Sequence, residues 1–286
     1  MLLVATVSPP NSKAILDTYA DTVVDGFSFS GSAVPDNNGA GICSNAGNLT
    51  VRNIIFSNNQ EGILTNSNPV VTVTITYSEF GYNGAGDGYS HNLYVGAVKA
   101  LVIDNSYFHD ANVGHEIKSR ALSTTITNNR IIDGPGSTAS YSADLPNGGV
   151  ASIRNTVIEK GPNAQNQTIV HFGGERAPYA GSSLTMTGNT IVNDRAAVTE
   201  LNNAAGSPVT STGNTLFGVT PEQFCATSGN TVVSTRPALD LSTRAVAPIT
   251  VPPAATPAPM LADTPAGLAY VDYGRAGAVV ASGHIL

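Results

Sequence analysis

A short pattern of hydrophobic and polar positions recurs along residues 20–235 of the chain. Each copy runs from an apolar or small residue, through a turn-forming residue such as Asn or Gly, to a final apolar residue. The copies begin at Val24, Val51, Ile75, Ile103, Ile126, Ile153, Met186 and Ser211, with a weaker copy at Thr227. Most copies start 23 to 33 residues after the one before, a period that is typical of solenoids and other repeat arrays.

Apolar and polar residues alternate within these copies, as in "LTVRN" and "VTVTITY", and this period of two predicts short strands. Asn, Asp and Gly between the strand pieces tolerate a left-handed backbone, so the chain can turn there and stack its Asn side chains in ladders. A second strand follows each copy after a loop of variable length. We therefore predict an all-β fold, a single-stranded right-handed parallel β-helix of about eight to nine rungs. An antiparallel β-sandwich is the alternative.

The composition changes near Pro237, where the repeat ends and Pro and Ala become frequent. We predict a β-helix domain over residues 1–236 and a linker and C-terminal tail over residues 237–286. The tail could dock on the solenoid or be a truncated piece of a further domain. Cys43 and Cys225 are separated by about seven predicted rungs, too far for a disulfide, so two unpaired thiols are expected.

Alignment of the second strands predicts an exposed column of side chains on one sheet. The residues predicted to point inward are Leu93, Ile117, Ala143, Val170 and Val198. The residues that follow them, predicted to point outward side by side, are Tyr94, Lys118, Asp144, His171 and Thr199. Asn92, Glu116 and Ser142 are predicted on the same face, and Arg120 at its rim.

This part of the chain is rich in ionisable residues, including four of the five histidines: His91, His109, His115 and His171. A concave surface with titratable groups of both signs is typical of acid–base catalysis. We expect it to abstract the C5 proton of a uronic-acid residue, with Lys118 as a base of lowered pKa and Arg120 or Arg176 neutralising the substrate carboxylate. The predicted catalytic residues are Lys118, Arg120, His171 and His91, and the predicted substrate-binding residues are Tyr94, Asn92, Glu175, Arg176 and Tyr141.

Calcium is the candidate cofactor of this surface. Glu116, Asp144 and Asn92 supply the hard oxygen ligands that Ca²⁺ prefers. An ion at that position would serve the same purpose as an arginine, because it would neutralise the carboxylate of the substrate.

The repeats resemble the right-handed parallel β-helix proteins related to pectate lyase. Within them, "GHEIKSRALSTTITNNRI" is similar to a segment of the chondroitinase B and alginate lyase family, in which a strand carries Glu and then a catalytic Lys before an Asn-rich turn. That resemblance implies a base at Lys118 and a metal-binding carboxylate at Glu116. "GDGYSHNLYV" resembles a segment of mannuronan epimerases, which implies roles for Asp87 and His91.

Three functions are compatible with this sequence. A polysaccharide lyase or epimerase is favoured, and a non-catalytic glycan-binding, adhesin or phage-type structural β-helix is the alternative. Hydrolysis ranks third because only Glu116, Asp144 and Glu200 are candidates for its facing carboxylates. Lys118 and Glu116 could also be no more than an ion pair between rungs.

Charge and hydropathy limit the expected partners. With 13 Lys and Arg against 20 Asp and Glu, the chain has no broad basic face for nucleic acid. Its apolar runs fall short of the roughly 18 residues that a membrane span needs. We expect an acidic polysaccharide as partner, a monomer or homotrimer, and a secreted or cell-surface protein whose export signal is not part of this sequence.

Overall fold

The computed structural model winds the chain into a solenoid of about eight turns built from three parallel sheets. It describes residues 1–175, 178–196, 199–224, 228–244 and 279–282, with backbone only for 199–200 and 279–282. Within these ranges sheet A has ten strands: Leu2–Val4, Ser28–Ser30, Ile55–Ser57, Glu79–Gly81, Tyr107–His109, Arg130–Ile132, Val157–Lys160, Thr190–Asn193, Thr215–Phe217 and Thr231–Val232. Sheet B has eight: Ala14–Thr18, Ala40–Ser44, Glu61–Thr65, Leu93–Val95, Ile117–Ser119, Ala143–Leu145, Thr168–Phe172 and Thr199–Asn202.

Sheet C has nine strands in the described chain: Thr22–Asp25, Leu49–Arg52, Thr72–Thr76, Ala100–Asp104, Ser123–Thr127, Val150–Arg154, Ser183–Thr187, Val209–Thr212 and Val279–Ser282. One 3-10 helix, Pro221–Phe224, is the helical element of the same ranges. In that part of the chain, no helix is long and apolar enough to cross a membrane.

The register of sheet C confirms the repeat that the sequence predicts. Ile103 pairs with Ile126, and the same column continues through the other predicted starting positions from Val24 to Ser211. The paired strands of the described chain are parallel, so the parallel solenoid is confirmed and the antiparallel sandwich is wrong.

The core is a continuous column because each turn buries the same positions as the turns beside it. Phe29, Phe56, Phe80 and Phe108 are buried and stack in sequence, with ring centroids 5.4, 4.7 and 4.6 Å apart. A single turn could not shield these rings from water, and burial stabilises each by about 1.5–3 kcal/mol. Neighbour stacking therefore holds the fold together.

Asparagine ladders line the turns of the coil, as predicted. Asn189 donates from Nδ2 to Asn214 Oδ1 at 2.9 Å, and Asn214 donates from Nδ2 to Asn230 Oδ1 at 2.9 Å. The short turns between sheets C and A use left-handed residues such as Asn53 and Asn128, with φ of 55° and 58°. Asn adopts this conformation at low cost, which explains its frequency in the repeat.

Residues 236–244, which we name the C-terminal strap, run back across sheet A. Arg236 Nη2 lies 2.6 Å from Asp194 Oδ2, and Arg130 Nη1 donates to the carbonyl of Asp240 at 2.7 Å. Arg244 Nη2 donates to the carbonyl of Asn53 at 3.0 Å. The part of the predicted linker that is described is thus docked on the solenoid.

Only one of the two cysteines lies within the described residues. Cys43 is buried and unpaired, as predicted, and burial, with Asp17 beside it, raises the pKa of its thiol to about 11. Cys225 lies outside the described residues.

Candidate functional site

The register of sheet B confirms the predicted column of four side chains, but its predicted exposure is wrong, because Lys118, Asp144 and His171 are buried. Tyr94 pairs with Lys118, Lys118 with Asp144, and Asp144 with His171. The fifth position differs from the prediction, because Asn202 pairs with His171 and Leu201 with Val170. The connection before that strand holds three more residues than the proposed alignment allowed, so the stack does not continue through Val198 and Thr199.

Asn92, Glu116 and Ser142 do not lie in the column on the outer face of sheet B, and their predicted placement is wrong. All three are fully buried, because they lie at the bend that precedes each strand of sheet B, where the alternation of faces does not yet apply. Glu116 Oε2 accepts from Asn92 Nδ2 at 2.5 Å, and its Oε1 accepts from the backbone N–H of Ala111 at 2.9 Å. Burial, with Asp133 nearby, raises the pKa of Glu116 to about 8.

Lys118 stands at the centre of the column between two carboxylates. Its Nζ lies 2.9 Å from Asp144 Oδ2 and 2.9 Å from Glu175 Oε1. Burial alone would lower the pKa of Lys118, but the two carboxylates outweigh burial and raise it. The expected lowering of its pKa is therefore wrong, and the lysine is held as a cation.

Arg120 extends the column to its rim and shares Glu175 with Lys118. Its guanidinium donates to Glu175 Oε2 through Nη2, to the Tyr94 hydroxyl through Nε at 3.1 Å, and to Asn147 Oδ1 through Nη1 at 2.7 Å. Burial of Glu175 would raise its pKa, but its bonds to Lys118 and Arg120 outweigh burial and lower it to about 2. Two cations that lie two residues apart in the sequence therefore hold one carboxylate.

A glycine-rich loop brings Glu175 to these cations. Gly173 and Gly174 precede it with φ of 68° and 133°, a region that suits glycine. The Glu175 side chain is 40% exposed, whereas that of Lys118 is 10% exposed. The partner of the cations is thus the most accessible member of the cluster and lies on a loop outside the sheet.

His171 and Asp144 form a pair at the end of the column. His171 Nδ1 lies 2.7 Å from Asp144 Oδ1, and since a carboxylate accepts, Nδ1 carries the proton. In the neutral ring, Nε2 then presents a lone pair. A Cβ added at Gly174 would lie 2.8 Å from Nε2, so Nε2 faces the loop that carries Glu175.

His91, His115 and Tyr141 form a second column beside the first. The His91 and His115 rings stack with centroids 4.4 Å apart, and the Tyr141 ring lies tilted 4.7 Å from that of His115 and 5.2 Å from that of His171. His91 Nδ1 accepts from the backbone N–H of His115 at 3.0 Å. Burial, with Lys118 nearby, lowers the pKa of His91 to about 3, so the ring of this predicted catalytic residue is neutral at neutral pH.

Two site residues were missed by the sequence analysis, and one predicted residue cannot be placed. Asn147 Oδ1 accepts a hydrogen bond from the Arg120 guanidinium, and the hydroxyl of Tyr179 donates to the carbonyl of Arg120 at 2.9 Å. Both lie in loops, where no periodicity reports a position. Arg176, a predicted substrate-binding residue, lies outside the described residues.

The predicted calcium ligands do not form one oxygen cage. The carboxylate of Glu116 is engaged by Asn92 and Ala111, and that of Asp144 by Lys118 and His171, with no partner in common. The Lys118 cation, 2.9 Å from Asp144, would repel a calcium ion bound to that carboxylate. Within the described ranges, no group of three or more His, Cys, Asp or Glu is arranged to hold a metal ion.

Comparison with known proteins identifies no relative of this chain. No family model matches it, and neither does any curated protein or solved structure.

Proposed function

We propose that this chain cleaves a uronic-acid polysaccharide by β-elimination on the outer face of sheet B. One observation carries the proposal: Lys118, on the strand Ile117–Ser119, and Arg120, just after it, hold the Glu175 carboxylate between them. A uronate carboxylate has the same charge and the same two oxygens. It fits this position when the Glu175 loop moves aside.

The two cations would then provide the first requirement of elimination. Abstraction of the proton next to a carboxylate places negative charge on the carboxylate oxygens. Donors already positioned at those oxygens stabilise that charge without reorganising. Arg120 suits the task because its planar guanidinium makes parallel hydrogen bonds to a carboxylate, and Lys118 suits it because it stays protonated.

His171 is the proposed base in place of Lys118. Its Nδ1 is tied to Asp144 at 2.7 Å, which orients Nε2 as an acceptor. Nε2 takes the C5 proton, the electron pair of the C5–H bond forms the C4–C5 double bond, and the C4–O bond breaks. The pair from that bond goes to the leaving oxygen, which takes a proton from the Tyr94 hydroxyl. Epimerisation would share the first step and return a proton to the opposite face of C5.

The sequence resemblance to pectate lyase-like proteins, chondroitinase B and alginate lyases supports the same reaction class. Uronic-acid polysaccharides lie outside cells, so the proposal includes a secreted or cell-surface location. The proposed steps use no metal, and the Asp144 carboxylate is already paired with Lys118 and His171.

The test is incubation with polygalacturonate, alginate, hyaluronan and chondroitin while the ultraviolet absorbance of the unsaturated uronate is followed. We expect product from at least one polymer, and a loss of about 10²–10³-fold in rate for Lys118→Met and Arg120→Gln. Lys99→Met removes an exposed lysine outside the column and should leave the rate unchanged. If none of the four polymers yields product, the elimination proposal is wrong.

One observation favours the non-catalytic alternative. The raised pKa of Lys118 suits a residue that binds an anion as well as one that stabilises a reacting carboxylate. Binding of a polymer without any product, lost in Lys118→Met but kept in Lys99→Met, would identify a glycan-binding surface.

A further inference from the structure

A cleft of about 690 Å³ opens on sheet A, away from the column on sheet B. One wall is formed by the turns that lead from sheet A to sheet B, and the other includes Leu241 and Thr243 of the C-terminal strap. A volume of this size lies in the range of small-molecule sites. None of the predicted catalytic, substrate-binding or metal-binding residues that the structure describes lines it.

The floor of the cleft is a histidine held in a fixed position. His109 Nδ1 lies 2.8 Å from Asp110 Oδ2, and its Nε2 lies 3.5 Å from Glu79 Oε1. Its ring stacks on Tyr107 with centroids 4.5 Å apart and meets the Tyr82 ring edge-on at 5.1 Å. A Cβ at Gly81 would lie 2.3 Å from the His109 ring, so the glycine on the neighbouring strand leaves room for the ring.

A strained backbone position lies at the same place. The residues just after sheet A in four successive turns are Gly31, Asn58, Tyr82 and Asp110, and all four have positive φ. Glycine and asparagine adopt this conformation at low cost, but an aromatic residue does not. Tyr82 has φ of 59° and remains 56% exposed, so its conformation is unfavourable and its ring is not buried in compensation. Strain of this kind is typical of functional positions.

The lining defines the kind of ligand. The exposed faces of Tyr82 and Leu241 suit the C–H face of a sugar ring, and polar groups for its hydroxyls come from Asp110, Asn112, Ser137 and Thr138. Among the described lining residues there is no lysine or arginine, and the charge of His109 is matched by carboxylates on both sides. An acidic sugar would meet Glu79 and Asp110 without a free cation.

We infer that the cleft on sheet A is a second carbohydrate-binding site, selective for an uncharged saccharide, with Tyr82 as its stacking platform. It is separate from the face of sheet B, where Lys118 and Arg120 attract acidic residues. A polymer or side chain with both neutral and acidic sugars could then contact two faces of the same coil.

The test compares Tyr82→Asn with Tyr89→Asn by titration calorimetry and thermal unfolding. Asn is the residue found in the equivalent turn at position 58, so Tyr82→Asn should fold and should raise the melting temperature. Tyr89, which is 85% exposed and does not line the cleft, is the matched control. The probes are the neutral trisaccharides cellotriose, mannotriose and maltotriose, with trigalacturonate as the acidic comparison.

We expect at least one neutral trisaccharide to bind the unmodified protein and Tyr89→Asn, and to bind Tyr82→Asn at least tenfold more weakly. Trigalacturonate should be unaffected by Tyr82→Asn and weakened by Arg120→Gln. The inference is overturned if none of the neutral probes binds at millimolar concentration, or if Tyr82→Asn binds them as the unmodified protein does. Neither result depends on whether the face of sheet B performs elimination.

Discussion

Sheets A and B each carry a histidine paired with carboxylates, but the carboxylates that neutralise the cations of the two sheets come from different parts of the fold. On sheet B the cations Lys118 and Arg120 are matched in part by Glu175, which comes from a glycine-rich loop and is 40% exposed. On sheet A the cation is His109, and its partners Asp110 and Glu79 belong to that sheet or to the residue just after it.

This difference decides what each region can bind. A partner on a loop can be replaced by a ligand of the same charge, because its removal leaves the sheet intact. Partners on neighbouring strands are fixed by the backbone register, so a ligand cannot take their place. The column on sheet B is therefore suited to an anion, whereas the cleft on sheet A can recognise a ligand only through its shape, its aromatic face and its hydroxyl groups.

The largest expected effect concerns the histidine of sheet B. Asp144→Asn keeps the shape of the residue but removes the charge that fixes the Nδ1 proton of His171. We expect the elimination rate to fall about 10⁴-fold, as for other histidine bases that lose their orienting carboxylate. The measurement is the initial rate on the best polymer, with circular dichroism to confirm the fold.

Asp110→Asn makes the same change beside His109 and is the matched control. The elimination rate should not change in this variant, because the cleft on sheet A takes no part in the reaction. A fall of similar size in both variants would mean that the two clusters form one site and that the comparison between the sheets is wrong.

The register of these clusters was predictable from the sequence, since the turns between sheets C and A are short and nearly constant. Ile103 therefore falls on Ile126, and Lys118 falls beside Tyr94 and Asp144. The face of sheet B on which Asn92 and Glu116 lie was not predictable from alternation, because the bend before each strand changes the direction of the side chain. An extra length of loop likewise placed Leu201 where Val198 was expected.

The partners of the site were beyond the reach of periodicity altogether. Glu175 returns to Arg120 from 55 residues later, and the strap reaches Arg130 from 110 residues later. Contacts of this kind depend on loop conformation and on the charge of the surface they meet. Neither leaves a regular spacing in the sequence, so the ion pairs of Glu175 and the cleft on sheet A are visible only in the structure.

The second prediction concerns the stability that His109 provides. Burial would lower its pKa, but the bonds to Asp110 and Glu79 outweigh burial and raise it from 6.5 to about 9. A raised pKa means that the folded state favours the protonated ring, so this stabilisation is complete below about pH 6.5 and is lost as the pH rises through about 9. His109→Gln should therefore lower the free energy of unfolding by an electrostatic contribution on the order of 3 kcal/mol at about pH 6.5. Near pH 9.5 almost none of this contribution should remain to be lost.

Urea unfolding of both proteins at these two pH values measures that difference. The Tyr82 and Tyr107 rings and the Glu116 carboxylate also lie near His109. Arg130 packs on Tyr107 and the backbone N–H of Arg244 donates to Glu79, and all these contributions remain in both proteins. His91→Gln is the control, because burial already holds the pKa of His91 near 3 and its ring is neutral throughout this range. A pH-independent effect of His109→Gln would show that His109 acts by packing alone and that the charges on sheet A are not fixed as described.

The smallest expected effect tests whether the partner on sheet B can be exchanged. Glu175→Gln removes the charge that occupies the cations while keeping the size of the side chain, so a uronate no longer competes with an internal carboxylate. We expect trigalacturonate to bind about tenfold more tightly, a gain of about 1.4 kcal/mol. Glu222→Gln removes the same charge at an exposed position in the 3-10 helix and should change the affinity little, since distant surface charges are screened by salt. Weaker binding by Glu175→Gln would mean that Glu175 contacts the saccharide itself, in which case the loop completes the site instead of occupying it.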